Sequence, residues 1–151
     1  MDRERARHLA IQLMVQHGLT DWLFRWGRGK LRLGSCNYTR RTISLSGHYV
    51  DLNDEEHVRD TILHEIAHAL TGPKNGHNHV WKDICRRIGA DPTRLDRIAT
   101  VPEAPYELYC PGCEQVIAKR YRRVSELNLR RHGCRYCGPK SRGKLVFRAR
   151  K

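Results

Sequence analysis

His64-Glu65-Ile66-Ala67-His68 is the stretch that decides how this chain folds and what it can do. On an α-helix, positions i and i+4 lie about 40° apart in projection and one turn apart in height. Both imidazoles therefore reach a single cation from one face. Glu65 is rotated by about 100° from His64, so its carboxylate stands beside such a cation, where it can take a proton from water. The plain alternative is a helix whose two histidines cap the core and bond to nearby carbonyls. Nine histidines in 151 residues make a chance match easier, so the flanking sequence has to decide.

It favours the metal. Asn53 is a suitable N-cap, and Asp54, Glu55 and Glu56 place carboxylates in the first turn, where the helix dipole welcomes them. Val58, Ile62, Ile66 and Ala69 form an apolar row widened by Leu63 and Leu70, and Gly72-Pro73 ends the helix. A catalytic zinc takes three protein ligands and keeps one open position. The nearest supply of a third is Gly76-His77-Asn78-His79, ahead of a further helix from about residue 78 to 88 with Trp81, Ile84, Cys85 and Ile88 as its stripe and Gly89 as its stop. His77 and His79 cannot easily both serve. Asp83 is the single acid on that helix.

Upstream, residues 3–17 predict a helix from the spacing of Ala6, Leu9, Ala10, Leu13 and Met14, stopped by Gly18. Residues 22–50 hold short β-prone runs that predict a small antiparallel sheet. Downstream, a short helical turn is expected after Pro92, and residues 99–105, with Pro102 and Pro105, read as a linker. The expected organisation is an α+β domain over 1–98, the linker, and a small β module over 106–151.

That module contains Cys110-Pro-Gly-Cys113 and Cys134-Arg-Tyr-Cys137, separated by 20 residues. Two Cys-x-x-Cys pairs at this spacing fit a closed, tetrahedral, structural zinc site, each pair making one knuckle between strand-like runs. Gly112 and Gly138 ease the turns. His132 could replace a thiolate, but four cysteines already complete the shell. Cys36 and Cys85 stand alone and read as small apolar residues or plain thiols. The N-terminus MDRERARH lacks the apolar core of a secretory signal, and no apolar run approaches the roughly 18 residues of a membrane span. The expectation is a reducing compartment, cytoplasmic (or nuclear in a eukaryote), with no membrane partner.

Charge separates the two parts. Of the net +13, residues 1–118 contribute 16 Lys and Arg against 15 Asp and Glu, and residues 119–151 contribute 13 against one, Glu126. A solvated tail is the plain reading. Concentration of the excess in one fifth of the chain points instead to a polyanion, usually nucleic acid. The candidate contacts are Lys119, Arg120, Arg122, Arg123, Arg130, Arg131, Arg135, Lys140, Arg142 and Lys144. Tyr121, Tyr136 and Phe147 lie among them, either to stack on bases or to fill the ribbon's small core.

His64, Glu65 and His68, followed by His77 with Trp81 four positions later, resemble the SprT-like metalloproteases, which include the Spartan proteases of DNA–protein crosslink repair. Arg41-Thr-Ile-Ser-Leu-Ser46 and Ile88-Gly-Ala-Asp-Pro92 also look like segments of that family, and the resemblance covers roughly residues 8–98. Asn78 departs from the glycine usual after the third histidine. The resemblance implies a zincin-like helical core, His77 as third ligand and Glu65 as general base. It implies two zinc ions, one catalytic and one structural in an appended ribbon, and cleavage of proteins bound to DNA. His79, Tyr49 and Arg86 are candidate oxyanion donors. The competing function is a non-catalytic zinc-binding adaptor for DNA or RNA. Glu65 argues against it, because a purely structural site needs no carboxylate beside two ligands.

Overall fold

Helix α1 (Arg3–Gln16) starts on Asp2, whose carboxylate accepts from the Arg5 N–H, and turns off at Gly18, which is left-handed at φ 78°. Ala6, Ala10, Leu13 and Met14 are its buried row. Strands β1 (Leu23–Gly27), β2 (Gly34–Asn37) and β3 (Thr42–Ser46) then form a sheet in the order β1-β3-β2. The computed structural model describes residues 1–93 and 99–150.

The sheet differs from expectation in one respect. β2 pairs antiparallel with β3, but β1 and β3 are parallel, so the sheet is mixed. Burial explains the arrangement. β3 supplies Ile43 and Leu45, both fully enclosed, and takes the centre. β2, with Gly34, Ser35, Cys36 and Asn37, has little apolar surface to bury and becomes an edge. Because the chain turns back through β2 before laying down β3, β3 returns alongside β1 in the same direction.

The β-prone region also closes earlier than its apolar content implied. Ser46 accepts from the Tyr49 N–H (3.3 Å) and caps a short helix, α2 (Gly47–Leu52). Asn53 ends α2 instead of starting the next helix. Its amide donates to the carbonyls of Tyr49 (2.7 Å) and Thr100 (2.8 Å). Asp54 is the N-cap of the long helix α3 (Glu55–Thr71), accepting from the His57 N–H at 3.0 Å.

Val58, Ile62, Leu63, Ile66 and Ala67 of α3 are fully buried, while Leu70 is 40% exposed. The buried stripe thus swings toward residues 63 and 67, because α1, α4, β2 and β3 all pack on this helix. Helix α4 (His79–Ile88) is capped by Asn78, which accepts from the Trp81 N–H (3.1 Å), and is closed by left-handed Gly89. Trp81 and Cys85 are its buried residues. The helical turn expected after Pro92 falls on residues 94–98, outside the described residues.

The chain divides into two compact units, Met1–Pro102 and Glu103–Lys151. In the second, β4 (Tyr106–Cys110) lies between β5 (Gln115–Arg120) and β6 (Val146–Ala149), all antiparallel, with helix α5 (Glu126–Arg131) and a single 3-10 turn at Gly138–Ser141 inserted. Among the described residues its central cluster is Cys110, Cys134 and Leu145, with Cys113, Ile117 and Cys137 packed against them, and Ala104 and Leu108 are buried as well. So small a core cannot hold a fold by apolar burial alone. No helix of the described residues is long and apolar enough to cross a membrane.

Candidate metal centres

Helix α3 presents His64 and His68 on one face, and the turn before α4 brings His77 to meet them. His77 Nε2 lies 3.1 Å from His64 Nε2 and 3.1 Å from His68 Nε2. Zinc–nitrogen bonds of about 2.0–2.1 Å in a tetrahedron place donor atoms roughly 3.3 Å apart, so the trio has the size of a zinc site. His77 adopts a left-handed backbone (φ 52°), which a β-carbon-bearing residue takes up only at a cost. That conformation aims its ring at α3 just before Asn78 begins α4. Asn78 is thereby explained as the helix cap. His79 is exposed on the first turn of α4 and is not part of the group.

Burial, reinforced by the neighbouring imidazoles, lowers His64 and His68 to about 4. Both are neutral at neutral pH, the state in which imidazole binds metal. Trp81 backs all three rings, with centroids 4.7 Å from His64, 5.3 Å from His68 and 4.6 Å from His77, and it is fully buried. Its indole N–H finds no acceptor among the described residues. The ring's contribution is therefore shape rather than hydrogen bonding. Trp81→Ala should cost about 3–5 kcal/mol and loosen the trio. Trp81→Phe, which keeps an aromatic wall and removes the orphaned donor, should cost much less. Thermal melts of the two variants, with zinc content measured alongside, check this.

Glu65 is 7% exposed, and burial pushes its carboxyl up to about 7, partly offset by the positive charge of Arg32. Gly34 on β2 makes room for it. A β-carbon at Gly34 would lie 2.8 Å from both Cγ and Oε1 of Glu65. Nothing local foretells this pairing, because Gly34 and Glu65 are 31 positions apart. Of the proposed oxyanion donors, Tyr49 is excluded: it is fully buried and its hydroxyl is bonded to Thr61 Oγ1 at 2.9 Å. Arg86 pairs with Asp83 on the exposed side of α4.

In the second unit, Cys110, Cys113, Cys134 and Cys137 gather all four sulfurs within 4.8 Å of one another. Cys113 Sγ is 3.5 Å from Cys134 Sγ, and Cys110 Sγ is 3.8 Å from Cys137 Sγ. These separations are far from the roughly 2.05 Å of a disulfide. They match the roughly 3.8 Å between thiolates in a tetrahedral zinc site with Zn–S bonds of about 2.3 Å. The four-cysteine cluster fits a zinc ribbon. Ser141 is a support that the spacing could not show. It is buried, its Oγ accepts from the Cys134 N–H (2.7 Å) and donates to the Gly138 carbonyl (2.6 Å), and so it fixes the second knuckle. Against the burial that raises it, backbone N–H groups of Cys137 and Tyr136 draw the Cys134 thiol down to about 7, toward the thiolate that metals bind.

All ten basic side chains singled out around the ribbon are exposed: Lys119, Arg120, Arg122, Arg123, Arg130, Arg131, Arg135, Lys140, Arg142 and Lys144. The interleaved aromatics divide. Phe147 packs on Tyr106 with centroids 5.0 Å apart, whereas Tyr136 is 63% exposed beneath the Arg135 guanidinium.

A three-histidine centre with a buried carboxylate on the same helix, set in an α+β unit and accompanied by a zinc ribbon, defines the class. Residues 5–101 match the SprT-like family, and the chain belongs to that family. No curated protein sequence matches it. Among solved structures, the metallopeptidase zymogen of Methanocaldococcus jannaschii, jannalysin, is similar over 62% of this chain and 85% of its own, at 17% identity and a TM-score of 0.48.

Proposed function

We propose that this chain is a zinc-dependent endopeptidase that cleaves proteins held on DNA, with Glu65 as its general base. The observation that carries the peptidase reading is the convergence of His64 and His68 on His77, each with Nε2 3.1 Å from its Nε2, beside a buried carboxylate. Membership of the SprT-like family supports it. Three imidazoles would hold the catalytic zinc, and four thiolates the structural one.

When bound, zinc supplies a Lewis acid that polarises a carbonyl and makes water acidic near neutral pH. The protein's own residues do the rest. The neutral imidazoles stay available as donors because burial keeps protons off them. Glu65 takes a proton from water at a carboxylate oxygen and later delivers it to the leaving amine. A buried, ion-pair-free carboxylate is a poor structural choice, since ionised carboxyls pay a desolvation cost unless they are paired. Its presence beside the imidazoles favours catalysis over the adaptor role.

DNA as the second partner is supported by the exposed basic ribbon and tail, where 13 cations meet one acid over residues 119–151. Proximity on DNA, more than peptide sequence, would select substrates. The test is cleavage of an unfolded protein by the zinc-loaded full chain with and without DNA. Cleavage should occur, rise when DNA is present, and stop on chelation. Absence of any cleavage under all these conditions overturns the peptidase reading. Cleavage indifferent to DNA overturns the choice of partner.

A further inference from the structure

We infer that the first unit carries its own phosphate pocket, built by Arg28, Arg32 and the serines of β2 and β3, and that it takes a backbone phosphate of a nucleic-acid strand. This deepens the reading above by giving the metal-bearing unit a contact independent of the ribbon. Its starting point is a charge pattern that the near-neutral sum over residues 1–118 conceals. Residues 22–50 contain Arg25, Arg28, Lys30, Arg32, Arg40 and Arg41 and no Asp or Glu. Arg41 is paired with Asp21. Neither Arg28 nor Arg32 has a carboxylate within ion-pair distance among the described residues, and both are exposed.

The two arginines border a cavity of about 290 Å³ whose other walls are Gly27, Gly29, Gly34, Ser35, Ser44 and Ser46. Pairing fixes which face of the sheet this is. Gly34 pairs with Leu45 and faces Glu65, so Ser35 and its partner Ser44, one position along, point to the opposite face. The serines have different duties. Ser46 Oγ donates to the Gly29 carbonyl at 2.5 Å and pins the loop that carries both arginines. Ser35 Oγ and Ser44 Oγ are 2.7 Å apart, so one hydroxyl donates to the other and one proton is left to offer a ligand.

Two guanidinium forks and a hydroxyl are the donor set of a phosphate site. An acidic peptide side chain fits less well. The walls are glycine, serine and arginine, with no apolar side chain to receive its methylene stem, and the pocket opens away from the face on which Glu65 sits. The strand would lie across the outer face of the sheet, and Gly34 separates it from the Glu65 side by the thickness of one backbone.

The test uses the zinc-loaded full chain, a fluorescein-labelled single-stranded oligonucleotide, and anisotropy titrations over a range of salt. Arg28→Gln/Arg32→Gln should weaken binding roughly tenfold at low salt, as expected for loss of charge-assisted bonds. It should also make the slope of log K against log salt shallower by about 0.7, the value for one phosphate of a single strand. Melting temperature and zinc content should be those of the unaltered chain. Arg28→Lys/Arg32→Lys, which keeps the charge, should restore the slope. Unchanged affinity and slope in the glutamine variant, with the unaltered chain binding normally, overturn the pocket alone. If the unaltered chain does not bind the oligonucleotide, both the pocket and the DNA reading fail. Unchanged oligonucleotide binding, with cleavage of acidic peptides reduced relative to that of neutral peptides, assigns the pocket to the peptide and overturns the inference; the neutral peptides account for the effect of the Arg32 charge on Glu65.

Discussion

Glu65→Gln stops proteolysis and leaves the zinc in place. The substitution keeps the shape of the side chain and removes its ability to accept a proton, so it separates chemistry from folding. General-base catalysis contributes about 10²–10⁴-fold, and the drop in kcat/KM should fall in that range. The histidine donors are untouched, so zinc content measured on the pure variant should equal that of the unaltered chain. Stability should not fall either. A carboxyl whose folded-state value is raised to about 7, above its usual carboxylate range, contributes stability that is fully present below the unfolded value and is lost as pH rises through about 7. At pH 8 the ionised, buried carboxylate is therefore a burden to the metal-free chain that the neutral amide lifts, and the metal-free variant should melt no lower than the metal-free unaltered chain. The same reasoning sets the pH profile. The base must be ionised, so activity rises with pH, and a neighbouring cation draws its titration downward. The acid limb should lie at or below pH 7. A variant that retains cleavage, or one that loses zinc together with activity, contradicts the assigned role.

Cys134→Ser should unfold the ribbon and leave the first unit standing. Cys134 is 2% exposed, sits in a cluster with buried Cys110 and Leu145, and donates its N–H to Ser141 Oγ, the hydrogen bond that orders its knuckle. Apparent zinc-binding energies of about 10–16 kcal/mol in zinc-finger peptides show how far metal can substitute for an apolar core. Three thiolates and a hydroxyl do not retain that affinity. Zinc content should fall by one ion per chain, and the amides of β4, β5 and β6 should lose protection from hydrogen exchange. Those of α3 should keep theirs, because its partners α1, α4 and the mixed sheet are all in the other unit. DNA binding should weaken strongly, since the exposed cations lose the frame that groups them. Unchanged zinc content and an unchanged melt would contradict a metal-built module.

What could be read from the sequence was whatever is local. The α3 helix declares itself through the spacing of Val58, Ile62 and Ile66 and through Gly72, and the ribbon through two cysteine pairs. The residues alone left His77 and His79 open, and only the resemblance to the SprT-like family, through Trp81 four positions after His77, pointed to His77. Direction and partnership across the fold were not legible. Nothing in Leu23–Gly27 says that it will run parallel to Thr42–Ser46, because that choice depends on which strand buries both faces. The room that Gly34 leaves for Glu65 arises from strand and helix meeting, and Ser141 from a loop folding back on a knuckle. The cations of residues 22–50 were hidden by arithmetic. Acids elsewhere in the chain cancel them in a sum but, among the described residues, form no ion pair with Arg28 or Arg32.

The left-handed backbone of His77 ties loading of the ion to the seating of a helix. A non-glycine residue in that conformation stores about 1–3 kcal/mol, and in this chain the next residue, Asn78, starts α4. On the proposed function, an ion held by the three imidazoles would offset that cost, and its removal would let the turn relax and the first turn of α4 fray with it. Trp81 packs on all three rings, so its indole would sense the ion's loss. A change in fluorescence on chelation, absent in Trp81→Phe, is the expected sign of that link.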